Sequence, residues 1–242
     1  TAWGSDLMVG ARRSRSQRWL ARWVLRRADR VTCVSQGLAT AALALGTDPG
    51  RLEVAPWGVD ASVYYPAADR AAARQRLGLG AGPVVLSARS VKPVYNPLDI
   101  ARAIPLVLAA CPDALIVVRS HNSDPDLLAQ FRGVVSAAGA GDSVRYVGDL
   151  PGEELIAELY RAADVVLSVP SSDGTPSSVL EALACGAVPV VSDLPSLHEW
   201  VADGREALVV PVHDAEALAA AVVRLLSEEG LRRAMAAAGA EL

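Results

Sequence analysis

The chain has 242 residues, 52% hydrophobic and 21% charged, enough apolar material for a sizeable core. Its formal net charge of −4 offers no broad basic surface, so nucleic acid is not expected as a partner. Cys33, Cys111 and Cys185 are an odd, scattered set without C-x-x-C spacing; this excludes a disulfide framework and a zinc site, and fits a reducing, cytoplasmic setting.

The chain opens without Met or a signal peptide, and it reads as a piece of a longer protein. An Arg-rich helix is expected around Ala11–Arg30, carrying Trp19 and Trp23 one turn apart beside Leu20 and Val24. Such a face could make peripheral contact with an anionic membrane; a surface helix with a solvated charged side is the preferred reading. Short, continuous apolar runs follow at Val31–Val34, Leu52–Ala55, Val84–Ala88, Ala114–Val118, Val144–Val147, Asp164–Val169, Ala187–Ser192 and Ala207–Pro211. Continuous runs suit parallel strands covered on both faces. Helical patterns lie between them at Asp69–Leu77, Pro97–Ala110, Asp126–Ala138, Gly152–Ala162, Pro176–Cys185 and Asp214–Ser227. Strand and helix in alternation predict an α/β fold with a Rossmann-like, doubly wound parallel sheet. Turn residues and two prolines around Asp60–Ala68 mark a boundary. Residues 1–60 are expected to be the incomplete end of one domain, and 61–242 a whole ligand-binding domain.

In such sheets ligands sit beyond the carboxyl ends of the strands. The segment there with most signal is Ser171-Ser-Asp-Gly-Thr-Pro-Ser-Ser-Val-Leu-Glu-Ala-Leu-Ala-Cys-Gly-Ala-Val-Pro-Val-Val-Ser192. Thr175 as N-cap with Pro176 at the first helical position predicts a helix start, aiming the amides of Ser177 and Ser178 at a phosphate. Glu181 places a carboxylate on that helix, where it can accept two hydrogen bonds from a ribose diol.

This run resembles the acidic motif of retaining glycosyltransferases of family 4, which have the GT-B architecture of two Rossmann-like domains. Its two acids, eight positions apart, are here Asp173 and Glu181, with Asp173 where the family most often has Glu. Val144–Pro151, Leu159–Asp164 and Glu199–Val210 resemble further family stretches in the right order, and Trp3–Asp6 and Ala28–Gln36 resemble the end of the acceptor-binding domain. The resemblance implies that Glu181 holds the donor ribose. It also implies that Asp173, Gly174 and Thr175 lie against the donor sugar and diphosphate, and that base contacts come from Tyr146–Leu150, including Val147, Gly148 and Leu150. A missing N-terminal domain, a metal-independent reaction with retention, a UDP- or GDP-sugar donor and an unknown acceptor are implied as well. No cofactor beyond the donor is expected.

After the first strand of the larger domain comes Ser87-Ala-Arg-Ser-Val-Lys-Pro-Val-Tyr-Asn-Pro97. In the family an Arg and a Lys here bind the departing diphosphate. Arg89 takes the first position; Tyr95 stands six residues later where Lys is usual, and Lys92 is the chain's only lysine. Either Lys92 reaches the phosphates from another turn, which is preferred, or Arg89 works with a hydroxyl.

Lesser signals resolve more simply. Asp124-Pro-Asp126 reads as a helix cap, His121 as a polar loop residue, His198 as helical and His213 as part of a turn. Gly78–Gly82 precedes a strand, the wrong context for a dinucleotide loop. Two other functions stay open: a catalytically degenerate nucleotide-sugar-binding protein, and an epimerase- or phosphorylase-like enzyme on the same architecture.

Overall fold

A computed structural model of the chain describes residue 7 and residues 14–242. Ala11–Arg13 and the Trp3–Asp6 stretch therefore lie outside the described residues. Contacts divide the chain into two compact units.

The first unit holds the described residues up to Gly58, with Ser172–Ser177 and Leu194–Trp200. Helix α1 (Arg15–Arg27) starts where the Ser14 hydroxyl accepts from the Gln17 amide. Only Leu25 of this helix is buried; Trp19 is 66% exposed and Trp23 45%. Strand β1 (Val31–Cys33) leads into helix α2 (Gln36–Ala44), and β2 (Leu52–Val54) pairs with β1 in parallel. Val31, Cys33, Leu38 and Ala42 form the small core of this unit. The Glu199 carboxylate accepts from the Gln36 and Gly37 amides at 2.8 Å each, filling the positive end of α2.

The second unit is built on a six-stranded, all-parallel sheet. Its strands are β3 (Val84–Ser87), β4 (Leu115–Arg119), β5 (Val144–Val147), β6 (Val165–Ser168), β7 (Val188–Ser192) and β8 (Leu208–Val210). Their order is β5-β4-β3-β6-β7-β8, so the winding reverses between β3 and β6. The helices are α3 (Arg70–Arg76), α4 (Pro97–Ala110), α5 (Pro125–Ala137), α6 (Glu153–Ala162), α7 (Ser177–Ala184), α8 (Ala215–Ser227) and α9 (Glu229–Gly239). Alternate residues of one strand feed two cores. Val85, Val165 and Leu167 join Ile104, Phe131 and Leu225, whereas Val84, Leu86 and Val166 join Tyr160 and Ala182. Both faces demand apolar side chains, and that is why these strands read as unbroken Val-rich runs.

The expected strands agree with those observed to within a residue at each end. Among the helices, α9 was not expected, and His198 lies in a run of turns instead of a helix. The Asp124 carboxylate caps α5 by accepting from the Leu127 amide at 3.0 Å, as its sequence context predicts. One glycine before the sheet has a steric reason: a Cβ on Gly82 would lie 2.3 Å from the Asp113 carbonyl oxygen. That close approach lets β3 enter beside the turn leading to β4.

Asp164, just before β6, ties the amino end of the sheet together. Its carboxylate meets Arg74, Arg70 at 3.3 Å and Arg232 at 3.9 Å, and accepts from the Val84 amide at 2.8 Å. The Asp164 amide donates in turn to the Val84 carbonyl at 2.8 Å, so one residue binds α3, α9, β3 and β6.

Candidate nucleotide-sugar site

The reversal between β3 and β6 is where an open α/β sheet makes its ligand crevice, beyond the carboxyl ends of the strands. Arg89 lies two residues past the end of β3. Its guanidinium donates to the Tyr95 hydroxyl at 2.6 Å and to the Ser178 hydroxyl at 3.4 Å, and lies 4.2 Å from the Tyr95 ring centroid. Ser178 is buried on the first turn of α7, and its hydroxyl is 3.3 Å from that of Ser168 at the end of β6. The bond from Arg89 to Ser178 thus spans the switch between the two halves of the sheet.

The backbone that carries Tyr95 is held firmly. A 3-10 turn (Pro93–Tyr95) ends at Asn96, which takes a left-handed conformation with φ 48°. The Asn96 side chain donates to the Val169 carbonyl at 2.9 Å and accepts from the Ser171 hydroxyl at 2.7 Å. The Ser171 amide donates to the Val94 carbonyl at 2.8 Å. His213 stands 3.4 Å from the Ser171 hydroxyl and 2.9 Å from Asp99. A serine, histidine and aspartate in sequence invite comparison with a nucleophilic triad. Here, however, the serine proton goes to Asn96 and its amide to Val94, so the group acts as a latch on the loop that leaves β6.

Glu181 lies one turn into α7, half-buried. Burial pushes its carboxyl above the ordinary 4.5, opposed by a hydrogen bond from Tyr160 and by the nearby Arg89 and Arg119. Tyr160 is wholly buried, and burial followed by the Glu181 charge raises its phenol well above the usual range. Tyr64 packs edge-on to it with centroids 6.0 Å apart. The Glu181 carboxylate is therefore oriented from inside the core.

Val147 ends β5, and its carbonyl already accepts from the Ser120 amide at 2.8 Å. Gly148 is exposed and Leu150 half-buried. His121, expected to be a plain loop residue, pairs with the Asp149 carboxylate and so links the loops after β4 and β5. Arg119, at the end of β4, keeps a buried Nε without a hydrogen-bond partner among the described residues.

The loop Ser172–Ser177 belongs to the first unit. The Asp173 carboxylate accepts from the Gly174 amide at 2.8 Å, and Gly174 and Pro176 are buried. The expected N-cap needs correction. The Thr175 hydroxyl donates to the Val34 carbonyl at 2.5 Å, and α7 begins at Ser177, whose own amide donates to the Thr175 carbonyl at 3.0 Å. The amides expected to be exposed are thus a Ser177 N–H already bonded within the chain and that of the buried Ser178. The Lys92 ammonium makes no hydrogen bond or ion pair with the described residues; only its carbonyl is engaged, by the Tyr95 amide. The contacts gather Arg89, Tyr95 and Ser178, with Glu181 within their electrostatic reach; they do not gather Lys92.

Sequence comparison matches residues 69–242 to the family described as Glycosyl transferases group 1, and residues 5–63 to Glycosyltransferase Family 4. The D-inositol 3-phosphate glycosyltransferase of Stackebrandtia nassauensis is 36% identical over 201 residues, covering 80% of this chain and 44% of that protein. That of Acidothermus cellulolyticus is 34% identical over 197 residues, covering 77% and 43%. The chain thus spans less than half the length of these relatives. Among solved structures, Anabaena Alr3699/HepE in complex with UDP and glucose superposes with a TM-score of 0.87 at 18% identity, over 98% of this chain and 65% of that one. Sucrose-phosphate synthase from Thermosynechococcus elongatus gives 0.81 at 26% identity, over 96% and 58%. Fold, motif order and family match agree: the chain belongs to the glycosyl transferases group 1 family and has the GT-B type of fold.

Proposed function

We propose that this chain carries the donor site of a retaining, metal-independent glycosyltransferase, taking a UDP- or GDP-sugar and passing the sugar to an acceptor read elsewhere in the protein. One observation carries this reading: a guanidinium, two hydroxyls and an inward-held carboxylate converge at the switch point of a doubly wound sheet. Glu181 is suited to the ribose diol and Arg89 to the diphosphate. Breaking the bond to the anomeric carbon leaves negative charge on the diphosphate, and a preorganised Arg89 stabilises it without reorganisation. The role of Asp173 toward the donor sugar, and retention itself, rest on the resemblance of the Asp173–Glu181 run. A structural neighbour solved with UDP-glucose and relatives named as glycosyltransferases support the donor class.

Calorimetric titration of the chain with UDP, GDP and ADP is expected to show saturable binding of one of the first two. A folded chain that binds none of the three would overturn the donor-site reading. Peripheral membrane contact is a separable part of the proposal. No described helix is long and apolar enough to cross a membrane, but α1 sets five arginines beside exposed Trp19 and Trp23. Co-sedimentation with vesicles rich in phosphatidylglycerol is expected, and is expected to fail with neutral vesicles or with a Trp19→Ser/Trp23→Ser chain.

A further inference from the structure

The position six residues after Arg89 holds a tyrosine, and the contacts give that tyrosine a function. We infer that the Tyr95 phenol, working with Arg89, binds the diphosphate of the donor, and that Lys92 does not. The inference rests on the donor-site reading above and assigns its phosphate subsite.

Three observations support it. Arg89 donates to the Tyr95 oxygen at 2.6 Å, so the phenol acts as acceptor in that bond and its own proton remains to be given. No described residue takes that proton. A hydroxyl that accepts from a guanidinium is also polarised into a better donor, as chains of hydrogen bonds strengthen one another. Second, the phenol is placed by a rigid support. The Tyr95 amide donates to the Lys92 carbonyl at 3.0 Å, the next residue is the left-handed Asn96, and the latch from Asn96 to Val169 and Ser171 fixes the turn to the exit of β6. Donors fixed before the charge develops are worth more than donors that must be recruited. Third, Tyr95 and Arg89 line one small cavity with Ser87, Val91, Ile100 and Leu167, at the ends of the two central strands. Lys92 is absent from that lining, and its ammonium has no hydrogen-bond or ion-pair partner among the described residues to orient it.

The chemistry is a substitution of donor type. A lysine adds a full charge and three donors; a phenol adds one directed donor and leaves the charge to arginine. Binding then depends on the hydroxyl itself, and the aromatic ring alone is insufficient.

The experiment titrates the full chain and its Tyr95→Phe and Lys92→Ala variants with UDP and with UMP. Tyr95→Phe is expected to weaken UDP binding roughly tenfold, the size of one hydrogen bond to a charged group, and to leave UMP affinity within about twofold. Lys92→Ala is expected to leave both unchanged. Circular dichroism confirms folding, and the phenylalanine variant keeps the ring that stacks under Arg89. Unchanged UDP affinity in Tyr95→Phe, or loss of it in Lys92→Ala, would overturn the inference while leaving the donor site standing. A parent chain that binds neither nucleotide would overturn both.

Discussion

Replacing Asp164 with alanine is expected to cost about 3–5 kcal/mol of folding stability, the largest single loss anticipated for this chain. Asp164 is 5% exposed and faces Arg70, Arg74 and Arg232. Truncation removes the anion and leaves three guanidiniums around an empty space, all on half-buried side chains. The Val84 amide loses its side-chain acceptor in the same step. Burial already disfavours the Arg70 charge, and the Asp164 charge is what opposes that effect. A whole domain is commonly stable by only about 5–15 kcal/mol, so the variant would sit near its unfolding threshold. Urea denaturation checks this: the midpoint should fall sharply with the slope unchanged. Asp164→Asn should lie between the two, because an amide oxygen can still accept from Val84 while its NH2 group faces arginine. A loss below about 1 kcal/mol for alanine would mean that the cluster behaves as a solvated surface pair.

Glu181→Gln is expected to pull stability and binding in opposite directions. Two carboxylate–hydroxyl bonds to a ribose are worth about 1.5–3 kcal/mol each, so nucleotide affinity should fall at least tenfold, and further in Glu181→Ala. The unliganded chain should become more stable at neutral pH. The sign follows from the raised carboxyl. Its folded value lies above the ordinary 4.5, so ionisation is harder in the folded chain than in the unfolded one. The penalty is absent below the unfolded value and complete above the folded value. Glutamine removes it and can still accept from Tyr160. Thermal melts at neutral pH should therefore place Glu181→Gln above the parent, and the gap should close as pH falls toward 4.5. A lower melting temperature for Glu181→Gln at neutral pH would show that the carboxylate is a structural anchor instead of a strained ligand-binding group.

The fold was legible because its strands are covered on both faces. Val144–Val147 and Val165–Ser168 appear in the sequence as apolar runs of strand length, bounded by turn residues. The last helix, Glu229–Gly239, was missed for an equally physical reason. It follows α8 after the single residue Glu228, with no proline and no side-chain cap to announce it. Of the residues proposed for the site, Arg89, Ser178 and Glu181 stand out in the sequence because each follows a strand in a motif of fixed spacing. Tyr160 and Arg119 could not. Their relation to Glu181 joins elements distant in sequence, and a tyrosine on the buried side of an amphipathic helix looks like any core aromatic. The preference for Lys92 over Tyr95 came from residue type, since a cation suits a phosphate. The inference in favour of Tyr95 rests instead on how that residue is held, by its bond from Arg89 and by the turn that ends at Asn96.

The reversal of winding between β3 and β6 also bears on how the sheet is assembled. Each half, β3-β4-β5 and β6-β7-β8, joins neighbours that follow one another along the chain, so its loops are comparatively short to close. The central pairing is different: the Val84 amide meets the Asp164 carboxylate across 80 residues of sequence. Loop-closure entropy and slow non-local pairing are therefore concentrated on one seam. Asp164 and its arginines bind that seam at the amino end, and the bond from Arg89 to Ser178 crosses it at the carboxyl end. The crevice proposed to take the nucleotide lies across this seam, so it exists only where the two halves of the sheet are paired.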